Sequence, residues 1–137
     1  MGPCSFFQIS ADRLNREAIA GIGHLRYGTA GVRASLKNTQ PLYGRAPWGE
    51  FYLAHNGDTP NYTKMQKRMK RKHITLTTDA DTELMLRSIE CAPEPNCYDA
   101  VGAGLREYEG TYAATMLLRD DEGVSLIAAR DPYGNRP

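Results

Sequence analysis

The apolar residues of the chain follow two spacings, which predict helices in the middle of the sequence and strands on either side. Tyr62, Met65 and Met69 recur at helical spacing, with polar residues between them. The segment from Phe51 to His55 is a short apolar run that stops at a turn-forming pair, as strands do. We predict helices over about 61–71, from 81 through 89 and over about 99–108, and strands over 21–27, 51–55, 111–118 and 124–130.

Three connecting segments complete this pattern. Ser10 is a suitable N-cap for a short helix over residues 10–18. Residues 29–49 are rich in Gly, Asn and Pro and predict a long loop, and a loop of that length in a compact domain tends to have a function. The last two strands are joined by residues 120–123, Asp-Asp-Glu-Gly, which predict a hairpin turn.

The order of these elements favours an α+β fold with layered sheets. Strands and helices do not alternate regularly enough for a doubly wound sheet. At 137 residues the chain is long enough for one domain with a buried core. The start at Met1 and the end at Arg136-Pro137 look cut rather than finished, so we expect a fold that is incomplete at both ends.

Composition and charge exclude several classes of protein. The chain is 41% hydrophobic and 24% charged, which is typical of globular proteins and not of disordered ones. A net charge of +1 gives no reason to expect a nucleic acid or an anionic membrane as partner, and no apolar run approaches the roughly 20 residues that cross a bilayer. The start lacks a signal-peptide pattern. Three cysteines do not suit a disulfide framework, so we predict a reducing, cytoplasmic setting.

Asn56-Gly57 is the first candidate for chemistry. Asn-Gly between two strands is a strong hairpin signal because both residues tolerate a positive φ, and taken alone this interpretation is favoured. Residues 58–62, however, predict the entry to a helix and not a second strand. The pair then ends its strand with a side-chain amide and a backbone N–H at one edge, which are the two donors that an oxyanion hole needs.

Charged candidates lie at the ends of two other predicted elements. Arg26 ends a glycine-bounded strand, where a guanidinium suits bidentate binding of a carboxylate, although a surface arginine is the commoner case. Residues 77–83 open a helix, where Asp and Thr ordinarily act as N-caps worth about 1 kcal/mol. A carboxylate there could instead bind an ammonium group. The Asp79-x-Asp81 pair lacks a surrounding Mg²⁺- or Ca²⁺-binding loop, so we predict no metal site.

Other conspicuous residues have structural interpretations. The basic run from Lys64 to Lys72 could bind phosphate or nucleic acid, but the helix needs a solvent-exposed face and we favour that role. His24 and His55 lie in apolar segments and are interpreted as hydrogen-bonded core residues. Three aromatic residues are interpreted as packing or loop anchors: Trp48, Tyr108 and Tyr112.

Taken together and in this order, these segments resemble class II glutamine amidotransferases, the enzymes with an N-terminal nucleophile. Within that class they are most similar to the amidophosphoribosyltransferase family, because the last block favours it over glucosamine-6-phosphate synthase, asparagine synthetase or glutamate synthase. Asn61-Tyr62 is a small hint towards the glucosamine relatives. The matching blocks cover most of the chain: GIGHLRYGTAG at 21–31, NTQP at 38–41, LAHNG at 53–57, TDADTE at 78–83, GTYA at 110–113 and RDPYGNRP at 130–137.

The resemblance implies a four-layer αββα sandwich of the N-terminal-nucleophile hydrolase type, with residues 1–137 as a partial glutaminase domain. It implies that Arg26 holds the α-carboxylate of glutamine with Thr29 nearby, and that Asp81 takes the α-ammonium group. Asn56 and Gly57 would form the oxyanion hole. The implied function is that of the glutamine-hydrolysing part of an amidophosphoribosyltransferase, which transfers the amide nitrogen to phosphoribosyl pyrophosphate in purine biosynthesis.

The N-terminus departs from the family pattern. In the family the nucleophile is an N-terminal cysteine followed by Gly-Ile, and its own α-amine acts as the base. Cys4 instead follows Met1-Gly2-Pro3 and precedes Ser5-Phe6, and it lies too close to Arg26 in sequence. Cys91 and Cys97 match nothing catalytic. We therefore expect this chain alone to lack the nucleophile and to be inactive.

Two alternatives remain open. The chain could belong to another class II amidotransferase with a different acceptor, such as a glucosamine-6-phosphate synthase-like enzyme. It could also be a non-catalytic protein that keeps the pocket to bind glutamine or a partner. We expect no cofactor in this segment, with Mg²⁺ confined to a phosphoribosyltransferase domain whose motifs are missing from the sequence. The expected partners are glutamine and that domain, with neither nucleic acid nor membrane, and the full-length form is expected to be a homo-oligomer.

Overall fold

The computed structural model describes residues 19–25 and 36–134. A short 3₁₀ helix at Leu36–Asn38 precedes four strands and three helices. In chain order these are β1 (Leu42–Ala46), β2 (Gly49–Asp58), α1 (Tyr62–Arg71), α2 (Asp81–Glu90), α3 (Cys97–Arg106), β3 (Thr111–Asp120) and β4 (Gly123–Arg130). The predicted helix over residues 10–18 lies outside the described residues.

The four strands form one antiparallel sheet in the order β1-β2-β3-β4. The three helices are inserted between β2 and β3, which nevertheless pair along almost their whole length, from Glu50 opposite Arg119 to Asp58 opposite Thr111. Strands therefore flank a helical middle, as predicted, and the α+β class is confirmed.

Alternation along the strands gives the sheet one buried and one exposed face, because successive side chains point to opposite sides. Phe51 and Leu53 on β2 lie opposite Leu118 and Met116 on β3, and all four are fully buried. The helices pack over this face. The described residues thus form one helical layer on one sheet, which is half of the four layers that the resemblance implies.

Helix α2 is the centre of the helical layer, and it contacts β1, β2 and both other helices. Its apolar residues Leu84, Met85 and Ile89 are almost completely buried. Helix α1 buries Met65 and Met69 as its spacing predicts, and its lysines face solvent. The solvent-face interpretation of the basic run is therefore confirmed.

The opposite face of the sheet, which we name the outer face, carries exposed apolar side chains. Tyr43, Tyr52, Val124 and Leu126 are between 46% and 64% exposed, and they lie on β1, β2 and β4. Exposed apolar positions in three of the four strands make the outer face a surface with a tendency to self-associate.

Several predicted boundaries were wrong. The predicted loop over 29–49 contains β1, and the predicted strand 51–55 extends from Gly49 to Asp58. The described part of the predicted strand over 21–27, residues 21–25, has no regular secondary structure. Within residues 19–25 and 36–134, no helix is long and apolar enough to cross a membrane.

Candidate functional site

A cavity of about 600 Å³ lies where the end of β2 meets the start of α2. Three of the five predicted site residues, Asn56, Gly57 and Asp81, line it together. Arg26 and Thr29 lie outside the described residues, although Leu25, the residue before Arg26, also lines the cavity. Fold geometry therefore brings the two predicted donors and the predicted anion to one place.

Asn56-Gly57 is part of the sheet and not a turn. Asn56 pairs with Ala113, and Gly57 pairs with Tyr112, so both the hairpin interpretation and the prediction that the strand stops here are wrong. Glycine is required at position 57 by close approach: a Cβ there would lie 2.5 Å from Nε2 of His55 and would also collide with the carbonyl oxygen of Thr111. Asn56 is exposed and lines the cavity.

Asp81 is the first residue of α2, and its carboxylate is held at both oxygens. Oδ1 accepts a hydrogen bond from the backbone N–H of Thr82 at 2.9 Å, and Oδ2 accepts one from the Thr59 hydroxyl at 2.9 Å. The side chain keeps 33% of its surface exposed. A helix N-terminus stabilises an adjacent anion, so Asp81 presents a fixed negative charge to the cavity.

The segment before α2 is anchored by Glu83 and not by the predicted cap. The N-cap residue is Ala80, which makes no side-chain capping bond, so capping by Asp or Thr was the wrong interpretation. Glu83 instead reaches back and accepts hydrogen bonds from the backbone N–H groups of Thr77 and Thr78 at 2.6–3.0 Å. This arrangement resembles the return contact of a capping box and fixes the position from which Asp81 projects.

Behind Asp81 lies a buried group of hydrogen-bonded side chains. The imidazole of His55 is 3% exposed and sits between Oγ1 of Thr82, 3.2 Å from Nδ1, and the hydroxyl of Tyr108, 3.1 Å from Nε2. Nδ1 of His55 is also 3.8 Å from Oδ1 of Asp81. The core-histidine interpretation of His55 is confirmed, whereas His24 is half-buried at the cavity.

The described part of the cavity wall is acidic. Asp58, Asp79 and Asp81 line it, and its described residues include neither lysine nor arginine. Burial raises the pKa of the nearby Tyr62, and the charges of Asp79 and Asp81 raise it further. This part of the cavity is therefore suited to the cationic end of a ligand.

Cys91 and Cys97 are unlike nucleophiles in their surroundings. Neither lines the cavity, and burial raises the pKa of both thiols. The Cys97 thiol donates to Oδ2 of Asp120 at 3.3 Å, in a different part of the fold. Cys4 lies outside the described residues. Within the parts of the chain that the structure describes, no group of three or more His, Cys, Asp or Glu side chains is placed to hold a metal ion.

Sequence reasoning missed four residues that shape this site. Gln40 accepts a hydrogen bond from the backbone N–H of His55 at 2.6 Å, and Thr59, Glu83 and Tyr108 act as described above. Gln40 and Glu83 lie within the sequence blocks NTQP and TDADTE that resemble the family, so the resemblance could have pointed to them. Thr59 and Tyr108 carry no motif, and only tertiary structure reveals them.

The amino-acid sequence is similar to one described protein family and to curated proteins of known name. Residues 29–137 match the family described as "Glutamine amidotransferase domain". Amidophosphoribosyltransferase of Mus musculus is 33% identical over 123 residues, covering 85% of this chain and 23% of that protein. The chloroplastic amidophosphoribosyltransferase 2 of Arabidopsis thaliana is 34% identical over 116 residues, covering 85% and 20%.

Solved structures show the same similarity. One described as the allosteric regulatory enzyme of purine biosynthesis superimposes with a TM-score of 0.74 at 31% identity, covering 83% of this chain and 24% of that one. A glutamine phosphoribosylpyrophosphate amidotransferase from B. subtilis gives a TM-score of 0.60 at 20% identity, covering 78% and 34%, which supports the fold alone. The chain spans less than a quarter of the length of the two sequence relatives named above.

Proposed function

Since the chain belongs to the glutamine amidotransferase domain family, we propose that its cavity binds glutamine. Asp81 binds the α-ammonium group, and Asn56 with Gly57 binds the side-chain carbonyl. Arg26 and Thr29 are proposed, from the family motif alone, to bind the α-carboxylate. A cavity of about 600 Å³ lies within the range of roughly 300–1,000 Å³ for small-molecule sites.

One observation carries this proposal: a fixed carboxylate and the Asn56-Gly57 donors line the same cavity. Glutamine has an ammonium group at one end and a carboxamide at the other, so it needs an anion and hydrogen-bond donors separated by the length of its side chain.

The chemistry that these donors support is attack on the glutamine amide. A nucleophile adds to the amide carbon, the carbonyl oxygen takes negative charge, and the C–N bond then breaks to release ammonia and leave an acyl group on the nucleophile. Water hydrolyses that acyl group to glutamate. Asn56 and Gly57 would stabilise the charged oxygen, and one such donor is typically worth about 10²–10³ in rate.

In the full-length protein we propose an amidophosphoribosyltransferase that delivers this ammonia to phosphoribosyl pyrophosphate in purine biosynthesis. The names of the relatives support this acceptor. We further propose a cytoplasmic homo-oligomer with an attached phosphoribosyltransferase domain, which would be the only part to need Mg²⁺.

Calorimetric titration with L-glutamine tests the proposal. We expect binding to the wild-type chain and at least a tenfold loss of affinity in Asp81→Asn, because removing a charge from a charge-assisted contact costs on the order of 1.5–3 kcal/mol. Asp121→Asn, in the exposed hairpin turn, is the matched control and should bind as the wild type does. Equal affinities for the wild type and Asp81→Asn would refute the role of Asp81.

A further inference from the structure

We propose that Tyr108 and Thr59 are positioning residues for glutamine recognition, because together they fix the Asp81 carboxylate in the orientation that receives the α-ammonium group. This inference rests on the proposed function, since it takes Asp81 to be the ammonium-binding residue. Thr59 also borders the cavity, whereas Tyr108 does not line it. Their role is to act through Asp81.

The contacts converge on one oxygen. The Thr59 hydroxyl donates to Oδ2 of Asp81 at 2.9 Å, and the Tyr108 hydroxyl lies 3.5 Å from the same oxygen. The two hydroxyls also contact each other. With the backbone N–H of Thr82 on Oδ1 at 2.9 Å, the carboxylate is held from both sides while a third of the side chain stays open to the cavity.

The ring of Tyr108 is itself held rigidly. The residue is 6% exposed, and its ring packs edge-on against His55 and Tyr112 at centroid separations of 5.4 and 5.5 Å. Edge-to-face contacts of this kind favour one ring orientation. The Tyr108 hydroxyl therefore keeps its position beside the Thr59 hydroxyl, which bonds Asp81, without further ordering when a ligand binds.

The number of donor hydrogens on these hydroxyls is consistent with this role. A carboxylate only accepts hydrogen bonds, whereas a tyrosine hydroxyl offers one hydrogen. Burial raises the pKa of Tyr108, and the charge of Asp81 raises it further against the opposing effect of Thr59, so the hydroxyl keeps its proton over the physiological range. Because the Thr59 hydrogen goes to Asp81, the single hydrogen of Tyr108 is left for the Thr59 oxygen, so Tyr108 orients the hydroxyl that holds Oδ2 of Asp81.

The test compares two ligands: L-glutamine and glutaramate, which is glutamine without its α-ammonium group. If Tyr108 acts through Asp81, Tyr108→Phe lowers the affinity for glutamine roughly 5- to 10-fold, which is the size of one ordinary hydrogen bond between neutral groups. The affinity for glutaramate should stay within about twofold, because that ligand does not use Asp81. The ratio of the two affinities is therefore the readout.

Matched variants separate positioning from packing. Tyr112→Phe removes the same hydroxyl from a neighbouring buried ring and should leave the ratio unchanged. Thr59→Val should lower the ratio as Tyr108→Phe does, and Thr59→Ser, which keeps the hydroxyl, should restore it. This second pair decides the matter if Tyr108→Phe does not fold.

Each outcome has one meaning. An equal loss of affinity for both ligands in Tyr108→Phe and Thr59→Val would make the residues merely structural and overturn the inference. Wild-type binding of glutamine with no preference over glutaramate would also overturn it, because Asp81 would then not contact the ammonium group. If the wild type binds no glutamine at all, the proposed function fails and the inference fails with it.

Discussion

Replacing Glu83 by Gln should destabilise the fold more than its small change in shape suggests. The Glu83 side chain is 3% exposed and forms an ion pair with Arg87 at 3.0 Å. Its oxygens also accept hydrogen bonds from the backbone N–H groups and the hydroxyls of Thr77 and Thr78, at 2.6–3.0 Å. Glutamine has one acceptor oxygen and a donor NH₂ group, so several donors would lose their partner or face another donor.

The expected loss in the free energy of unfolding follows from the charge and the burial of Glu83. Removing one partner of a buried, hydrogen-bonded ion pair costs about 3–5 kcal/mol. Because Arg87 keeps a second partner in Glu90 at 2.6 Å, we expect the lower end, about 3 kcal/mol. That is a large part of the roughly 5–15 kcal/mol that stabilises a typical domain.

The effect should depend on pH in a defined direction. Burial alone would raise the pKa of Glu83, but the hydrogen bonds from Thr77 and Thr78 outweigh it and the pKa is lowered. A carboxyl with a lower pKa in the folded than in the unfolded state, where it is about 4.3, stabilises the fold above that value. The contribution is lost as the pH falls through the folded-state pKa.

Urea unfolding of dilute protein, followed by circular dichroism, measures this effect. At neutral pH the free energy of unfolding should fall by about 3 kcal/mol in Glu83→Gln, and the difference should shrink progressively as the pH falls below the unfolded-state pKa of about 4.3. Glu122→Gln, in the exposed hairpin turn, is the matched control. A loss below about 0.5 kcal/mol, the usual size of surface changes, or a loss that does not change with pH, would refute the reasoning.

Three further changes test other parts of the structure. Gly57→Ala should cost about 1–3 kcal/mol by overpacking against His55 and Thr111, and an unchanged urea midpoint would contradict the close approach. Asn96 accepts a hydrogen bond from the Asp99 N–H at 2.9 Å, so Asn96→Ala should lower the melting temperature through a loss of about 1 kcal/mol, whereas Asn96→Ser, which keeps a capping oxygen, should lose less. Leu126 is 64% exposed on the outer face, so Leu126→Lys should reduce self-association in light scattering. Undiminished scattering would mean that another surface associates.

The helices and the last hairpin were predictable because their information is local. The methionine spacing of α1 and the Asp-Glu turn between β3 and β4 each reflect short-range preferences that tertiary packing reinforces. The predicted helix 61–71 and the observed α1, Tyr62–Arg71, differ at their start by a single residue, within the usual variation of helix ends.

Strand β1 was not predicted because Gly44, which packs closely against a neighbouring strand, is a residue type typical of loops. Gly44 suggested a loop, yet it is buried beneath Phe51, where a Cβ would lie 2.7 Å from the ring. Gly57 misled in the same way, since it marks a close approach inside a sheet and not a turn. In both cases the glycine reflects close packing against the paired strand, Phe51 for Gly44 and Thr111 for Gly57, which the residue type alone does not reveal.

In the candidate site, too, some residues could be predicted from the sequence and others could not. Asn56, Gly57 and Asp81 were predicted from motif blocks, and the structure brings them to one cavity. The hydroxyls of Thr59 and Tyr108 lie near Asp81 from 22 and 27 residues away, and although Tyr108 was predicted to pack in the core, no motif marks either residue as part of the site. Residues that act through another residue are found by geometry.

The measurement that tests the glutamine pocket most directly is a titration of isotopically labelled chain with L-glutamine, followed by amide chemical shifts in nuclear magnetic resonance. The pocket predicts saturable shifts at Gly57, Thr59 and Asp81, with the amides of the β3–β4 turn unchanged. Shifts that are absent well above millimolar glutamine, or that cluster away from the cavity, would contradict glutamine binding at this site.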